Sequence, residues 1–161
     1  MRIILLAGLL LAWFSASCRA GTATANLSVN ITITAGCTVT GNTLSFGSQS
    51  VLAANVDQST TIGVTCTNST PYNVGLGVGA NGASVSARKM LGGASNTEYV
   101  NYSLYSDSAR TINWGQTIGT DTVTGTGNGA AQTLTIYGRV PPQTTGSAGS
   151  YTDTVLITVT F

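Results

Sequence analysis

Residues 26–34 read NLSVNITIT, and residues 155–161 read VLITVTF. In the first stretch Leu27, Val29, Ile31 and Ile33 alternate with Ser28, Asn30, Thr32 and Thr34. In the second, Val155, Ile157, Val159 and Phe161 alternate with Leu156, Thr158 and Thr160. A period of two puts every apolar residue of such a set on one face of an extended chain. Both stretches therefore read as β-strands with one side to bury.

The same period recurs between them. Thr60, Ile62, Val64 and Cys66 form one set and Tyr72, Val74, Leu76 and Val78 another. Tyr102 and Leu104 share a face within 101–106, with Tyr105 opposite, and Leu134, Ile136 and Val140 alternate with Thr133, Thr135 and Tyr137. Turn residues separate these sets: Gly41-Asn42, Asn68 to Pro71, Asn81-Gly82, Gly92-Gly93, Gly125 to Gly129, and Pro141 to Gly149. The segment from Gly115 to Ala131 reads as a polar loop with at most a short strand near Val123. No stretch sustains a 3.6-residue period. Short half-apolar strands with such punctuation predict an antiparallel β-sandwich or barrel.

Residues 1–20, MRIILLAGLLLAWFSASCRA, have the layout of a secretory signal peptide: Arg2, an apolar run from Ile3 to Phe14, then small residues. The run is shorter than the roughly 20 residues a membrane span needs. Cleavage before Gly21 or before Asn26 both fit, and a third reading makes Cys18 a lipid-modified N-terminus. Removal of the leader leaves Arg88, Lys89, Arg110 and Arg139 against Asp57, Glu98, Asp107, Asp121 and Asp153, a net charge of −1. With no basic cluster, nucleic acid is not an expected partner. Arg88-Lys89 reads as a solvated strand end. Cys37 and Cys66 then remain as the two cysteines, expected to pair in an oxidising compartment. A loop of that size would be worth roughly 3.5 kcal/mol; a free thiol pair is the alternative.

Catalytic reagents are scarce. The chain has no His, the usual general base, and no two of its carboxylates lie within eight residues of each other. Gly77 to Gly82 matches G-x-G-x-x-G, but Ala83 to Leu91 lacks the helical stripe a nucleotide site requires. Ser86 to Lys89 matches S-x-x-K without the companion motifs of penicillin-recognising enzymes. No enzyme activity, cofactor or metal is expected. Trp114, Tyr99, Tyr102 and Tyr105 could form an aromatic binding patch, though core packing is the simpler role.

The two terminal strands carry the functional information. A strand at a free N-terminus can pair with another domain by β-strand addition, in which backbone bonds supply affinity and alternate side chains fill pockets. Burying Leu27, Val29, Ile31 and Ile33 would contribute roughly 6 to 12 kcal/mol before ordering costs. From the pattern alone, pairing within its own sandwich is equally open.

Several segments together resemble the spore coat protein U family, which includes subunits of archaic chaperone–usher pili. They are the N-terminal strand leading into Ala35-Gly36-Cys37-Thr38-Val39; Leu44 to Gly47; Ile62 to Thr67; Tyr99 to Asp107; Trp114-Gly115; Tyr137 to Val140; and Tyr151 to Phe161. The resemblance spans nearly all of residues 24–161. It implies an incomplete immunoglobulin-like β-sandwich, residues 36–161, completed by donor-strand exchange, with residues 21–35 as the donor extension. Leu27, Val29, Ile31 and Ile33 would be the donor plugs. Val155, Ile157, Val159 and Phe161 would line the acceptor groove and face the chaperone, and Cys37 and Cys66 match the family's disulfide. The implied partners are a periplasmic chaperone, an outer-membrane usher and neighbouring pilin subunits. The implied setting is a pilus on the cell surface that supports adhesion and biofilm formation, with this chain a shaft or minor subunit. A spore or cell-surface coat protein, or a monomeric carbohydrate-binding sandwich, are the alternatives.

Overall fold

The computed structural model describes residues 19–161. The leader reading of residues 1–20, apart from Arg19 and Ala20, and the lipidation reading of Cys18 lie outside the described residues. The chain divides after Thr32. Residues 19–32 carry neither strand nor helix, and Leu27, Val29 and Ile31 are 84–87% exposed. The strand expected over 26–34 is thus not formed, for a physical reason: a strand needs a neighbour to satisfy its backbone, and alternation alone supplies none.

Residues 33–161 hold β1 (Cys37–Gly41), β2 (Val56–Cys66), β3 (Pro71–Leu76), β4 (Arg88–Gly92), β5 (Glu98–Tyr105), β6 (Val123–Thr126), β7 (Ala131–Val140), β8 (Tyr151–Thr152) and β9 (Ile157–Thr160). All pairings are antiparallel. One sheet has the order β1-β2-β7-β5-β4-β8 and the other β6-β3-β9. Their inward faces share one core: Ile62 and Val64 of β2, Tyr72, Val74 and Leu76 of β3, Val100, Tyr102 and Leu104 of β5, Ile136 and Val140 of β7, and Trp114. Apart from Val100 and Trp114, these are apolar members of the alternating sets, so burial largely follows the period of two. The short strand near Val123 forms as β6. The all-β sandwich expected from the sequence is the observed architecture, with no helix among the described residues.

Cys37 and Cys66 are disulfide-bonded and face each other at the first rung of β1 on β2. The bond ties the start of β1 to the end of β2. The Gly77–Gly82 stretch is a turn after β3, with Gly79 at φ +86°. A Cβ at Gly79 would collide with the Asp153 carboxylate, so both the backbone angle and the space favour glycine there.

The reading of Arg88 as a solvated strand end is overturned. Arg88 is 0% exposed. Its register partner on β5 is Tyr102, which points into the core, so Arg88 points there too, while Lys89 beside it faces out opposite Asn101. The guanidinium is held by backbone carbonyls. Nε donates to Gly77 O, Nη1 to Val85 O, and Nη2 to Leu76 O and Trp114 O, each at 2.8 Å. One side chain thereby ties the end of β3, the turn beyond it and the Trp114 loop together. Burial pulls its pKa below the ordinary value, and Tyr102, Asp121 and Asp153 act the other way. Arg88→Met should leave those carbonyls unpaired in the interior and cost about 3 kcal/mol or more. Arg88→Lys should also be costly, because an ammonium lacks the planar fork. Denaturant midpoints measure both, and unchanged midpoints would contradict this role.

Candidate functional site

The two sheets are closed on one side and open on the other. On the closed side the segment around Trp114 bridges them: Trp114 N donates to Leu104 O, Leu76 N to Gly115 O, and the indole Nε1 to Val74 O at 2.8 Å. On the open side β9 is the last strand of its sheet, paired to β3 along one edge only. Among the described residues no strand pairs with its other edge. β1 is likewise the last strand of the six-stranded sheet. The two edges meet at Gly41, where a Cβ would lie 3.0 Å from Ile157 Cδ1. Beyond Gly41 the chain to Asn55 forms no strand.

An open cleft of ≈ 370 Å³ runs between this strandless segment and the approach to β9. Its walls include Leu44 and Phe46 on one side and Val155 and Ile157 on the other, over a floor of Leu76, Leu104 and Ile136. It shares Thr43, Leu44, Phe46, Met90, Tyr151 and Thr152 with a second cleft of ≈ 670 Å³, which extends past Leu52, Val100 and Val140. The result is a trough along the open side, apolar around Leu44, Phe46, Val155 and Ile157 and more polar where the second cleft runs past Thr145, Ser147 and Ser150. Leu44 and Phe46 lean over Gly138, where a Cβ would come 2.5 Å from Leu44 Cδ2 and 2.9 Å from Phe46 Cζ. Glycine near the end of β7 therefore makes the hollow that seats this wall. Phe46 also stacks obliquely on Tyr102, ring centres 6.4 Å apart.

Polar contacts fix the opposite wall. Tyr102 OH donates to Asp153 Oδ2 at 2.7 Å, and burial together with this bond pushes the phenol pKa far up. Asp153 Oδ1 accepts from Ala80 N at 2.9 Å and from Asn81 Nδ2 at 3.1 Å. Asp153 thus ends β8 and holds the chain as it crosses from one sheet to the other. The continuous terminal strand expected from Val155 is therefore shorter than the alternation suggests. Val155, Ile157 and Val159 are half-buried and pack on the core, whereas Leu156 faces out and Phe161, beyond β9, is 57% exposed. Leu27, Val29, Ile31 and Ile33 are all exposed.

Among the aromatic candidates, Trp114 and Tyr102 are core residues. Tyr99 is 52% exposed and Tyr105 only half-buried, against the expectation of core packing. The sequence pattern marks no role for Asp153, and it gives Arg88 the wrong one, a solvated strand end. It noted Leu44 and Phe46 without a role, although their spacing of two already places them on one face. Among the described residues no cluster of three metal-ligating side chains occurs.

The profile of the Spore Coat Protein U domain family matches residues 23–158. Protein U of Myxococcus xanthus is 34% identical over 157 residues, which covers 88% of this chain and 87% of that protein. A solved structure with a similar fold is the CsuC–CsuE chaperone–tip adhesion subunit pre-assembly complex from archaic chaperone-usher Csu pili of Acinetobacter baumannii. It aligns with a TM-score of 0.57 at 23% identity, covering 81% of this chain and 40% of the matched chain. The chain thus spans less than half the length of that relative, and the likeness is one of fold, the immunoglobulin-like sandwich.

Proposed function

The chain belongs to the Spore Coat Protein U domain family, and from that premise we propose that it is a structural subunit of an archaic chaperone–usher pilus that polymerises by donor-strand exchange. The observation that carries this reading is the unpaired edge of β9 beside an apolar trough. An exposed apolar edge of this kind is a template for an incoming strand. The same chain carries a segment of matching chemistry. Residues 26–34 alternate apolar and polar side chains, are unpaired, and would span about 30 Å when extended.

In this reading Leu27, Val29, Ile31 and Ile33 of one subunit enter the trough of the next and pack between Val155, Ile157 and Val159 and the Leu44–Phe46 wall. Phe161 lies at the far end of that edge. The donor extension covers residues 21–35 and the receiving domain residues 36–161. Before assembly a periplasmic chaperone lends a strand to the same edge, and an outer-membrane usher exchanges it. The leader at residues 1–20 directs export, and the finished fibre stands at the cell surface, where it supports adhesion and biofilm formation. The role is structural rather than catalytic.

Expression in a periplasm with and without a pilus chaperone encoded beside this gene tests the proposal. The subunit should co-purify with the chaperone in a stoichiometric complex and be degraded or aggregate without it. A stable, soluble monomer in both cases, with no complex, would contradict it.

A further inference from the structure

Two tethers bind the residues just before and at the start of β1 to the end of β2. Cys37, the first residue of β1, is disulfide-bonded to Cys66, the last residue of β2. Just outside that bond, Thr67 N donates to Gly36 O at 2.9 Å, and Thr67 Oγ1 donates to Thr34 O at 3.2 Å. The two strands so joined are held very differently. β1 is an edge strand, matched to β2 over the five residues from Cys37 to Gly41. β2 lies inside the sheet. It has β1 on one side and a ten-residue register with β7 on the other, Val56 to Thr65 against Val140 to Ala131. β1 also leads straight into the trough: Gly41 comes up to Ile157 of β9, and Leu44 and Phe46 follow as one wall.

We propose that the Cys37–Cys66 bond is the link that carries tension from subunit to subunit along the fibre, and that it shields the trough from that tension. The inference rests on the donor-strand reading, in which residues 26–34 are seated in one neighbour while the trough holds the same segment of another. A pull on the seated segment reaches its own domain through the covalent chain, and Cys37 is where that chain meets the first rung of the sheet. With the bond in place the pull passes there to Cys66, and so to a strand fastened on both sides. Without it the pull runs on along β1, held by five rungs whose hydrogen bonds are each worth only about 1 kcal/mol net. Once β1 parts from β2, residues 42–55 follow, because they form no strand, and they take the Leu44–Phe46 wall with them. The segment seated in that trough is then released, and the fibre breaks at the next joint. Position matters here. A bond at any later rung would leave the residues before it free to peel, so the first rung is the one that protects the whole of β1.

The test is the lifetime of fibres of the full chain held at constant pull in an optical trap, with and without dithiothreitol. The thiol should shorten the time to rupture about tenfold, because exchange opens the bond and the short edge register then sets the rate of forced parting. Steps of up to about 65 Å, the extended length of residues 37–55, should precede rupture. Fibres left unloaded in the same thiol should keep their length in electron microscopy. Alkylation and mass spectrometry of each sample report the state of Cys37 and Cys66. Equal lifetimes with and without thiol, or a bond that stays oxidised throughout the pull, would overturn the proposal. So would equal breakage of unloaded fibres, because a bond that acts only by closing a loop stabilises the domain at rest as much as under tension. Failure to form fibres at all, with the disulfide intact, would instead strike the donor-strand reading, and this inference with it.

Discussion

A chain whose residues 24–35 are moved from the N-terminus to follow Phe161, through a short Gly/Ser linker, is expected to be a soluble monomer that melts at least about 10 °C above the chain simply lacking them. The trough that reaches β9 at Ile157 leaves Leu44, Phe46, Val155 and Ile157 lining open space. A strand placed there supplies backbone partners to the free edge and apolar side chains to the trough. Each of Leu27, Val29, Ile31 and Ile33 contributes about 1.5 to 3 kcal/mol when fully buried. If only about 3 kcal/mol survives the ordering of the tethered strand, the stated shift follows for a domain of this size. Attachment in cis gives the strand a high effective concentration, so it should outcompete strands from other copies. Scanning calorimetry of the two chains measures the difference. Equal melting temperatures would mean the sandwich needs no further strand.

The second large effect concerns one side chain. Ile31→Asp should abolish polymerisation while leaving the subunit's own fold and its chaperone complex intact. Within the subunit Ile31 is 87% exposed, so the substitution removes no contact there. In a neighbour's trough it would place a carboxylate against apolar side chains without a partner, at a cost of several kcal/mol. Electron microscopy and boiling-resistant ladders on gels report polymer, and circular dichroism reports fold. An Ile31→Asp subunit that unfolds would show that the segment serves its own sandwich.

The period of two made most of the sandwich legible. Tyr102 and Leu104, or Ile62 and Val64, are buried because their spacing leaves no other face for them. Arg88 was not legible. Beside Lys89 it looks like any exposed basic pair, and only the register against Tyr102 turns one of the two inward. Parity also separates Tyr99 from Tyr102: three residues apart on one strand, they must point to opposite faces. The break at Asp153 was hidden for a different reason. Alternation continues through Val155 to Phe161 without regard to which sheet the backbone joins, and the crossover is set by contacts to Asn81 and Tyr102 far away in sequence. The trough itself follows from what the chain lacks. No pattern in residues 42–55 announces that they cover the core without pairing.

The central claim is that residues 26–34 of one subunit lie along β9 of another. Mixed-isotope cross-linking addresses it directly. Fibres would be assembled from equal amounts of light and heavy subunits, each carrying a photo-reactive group in place of Val29, and the cross-linked peptides read by mass spectrometry. The account predicts light–heavy pairs joining residues 26–34 to residues 151–161 about as often as pairs of like isotope. Cross-links confined to single chains, with no mixed pairs, would contradict it.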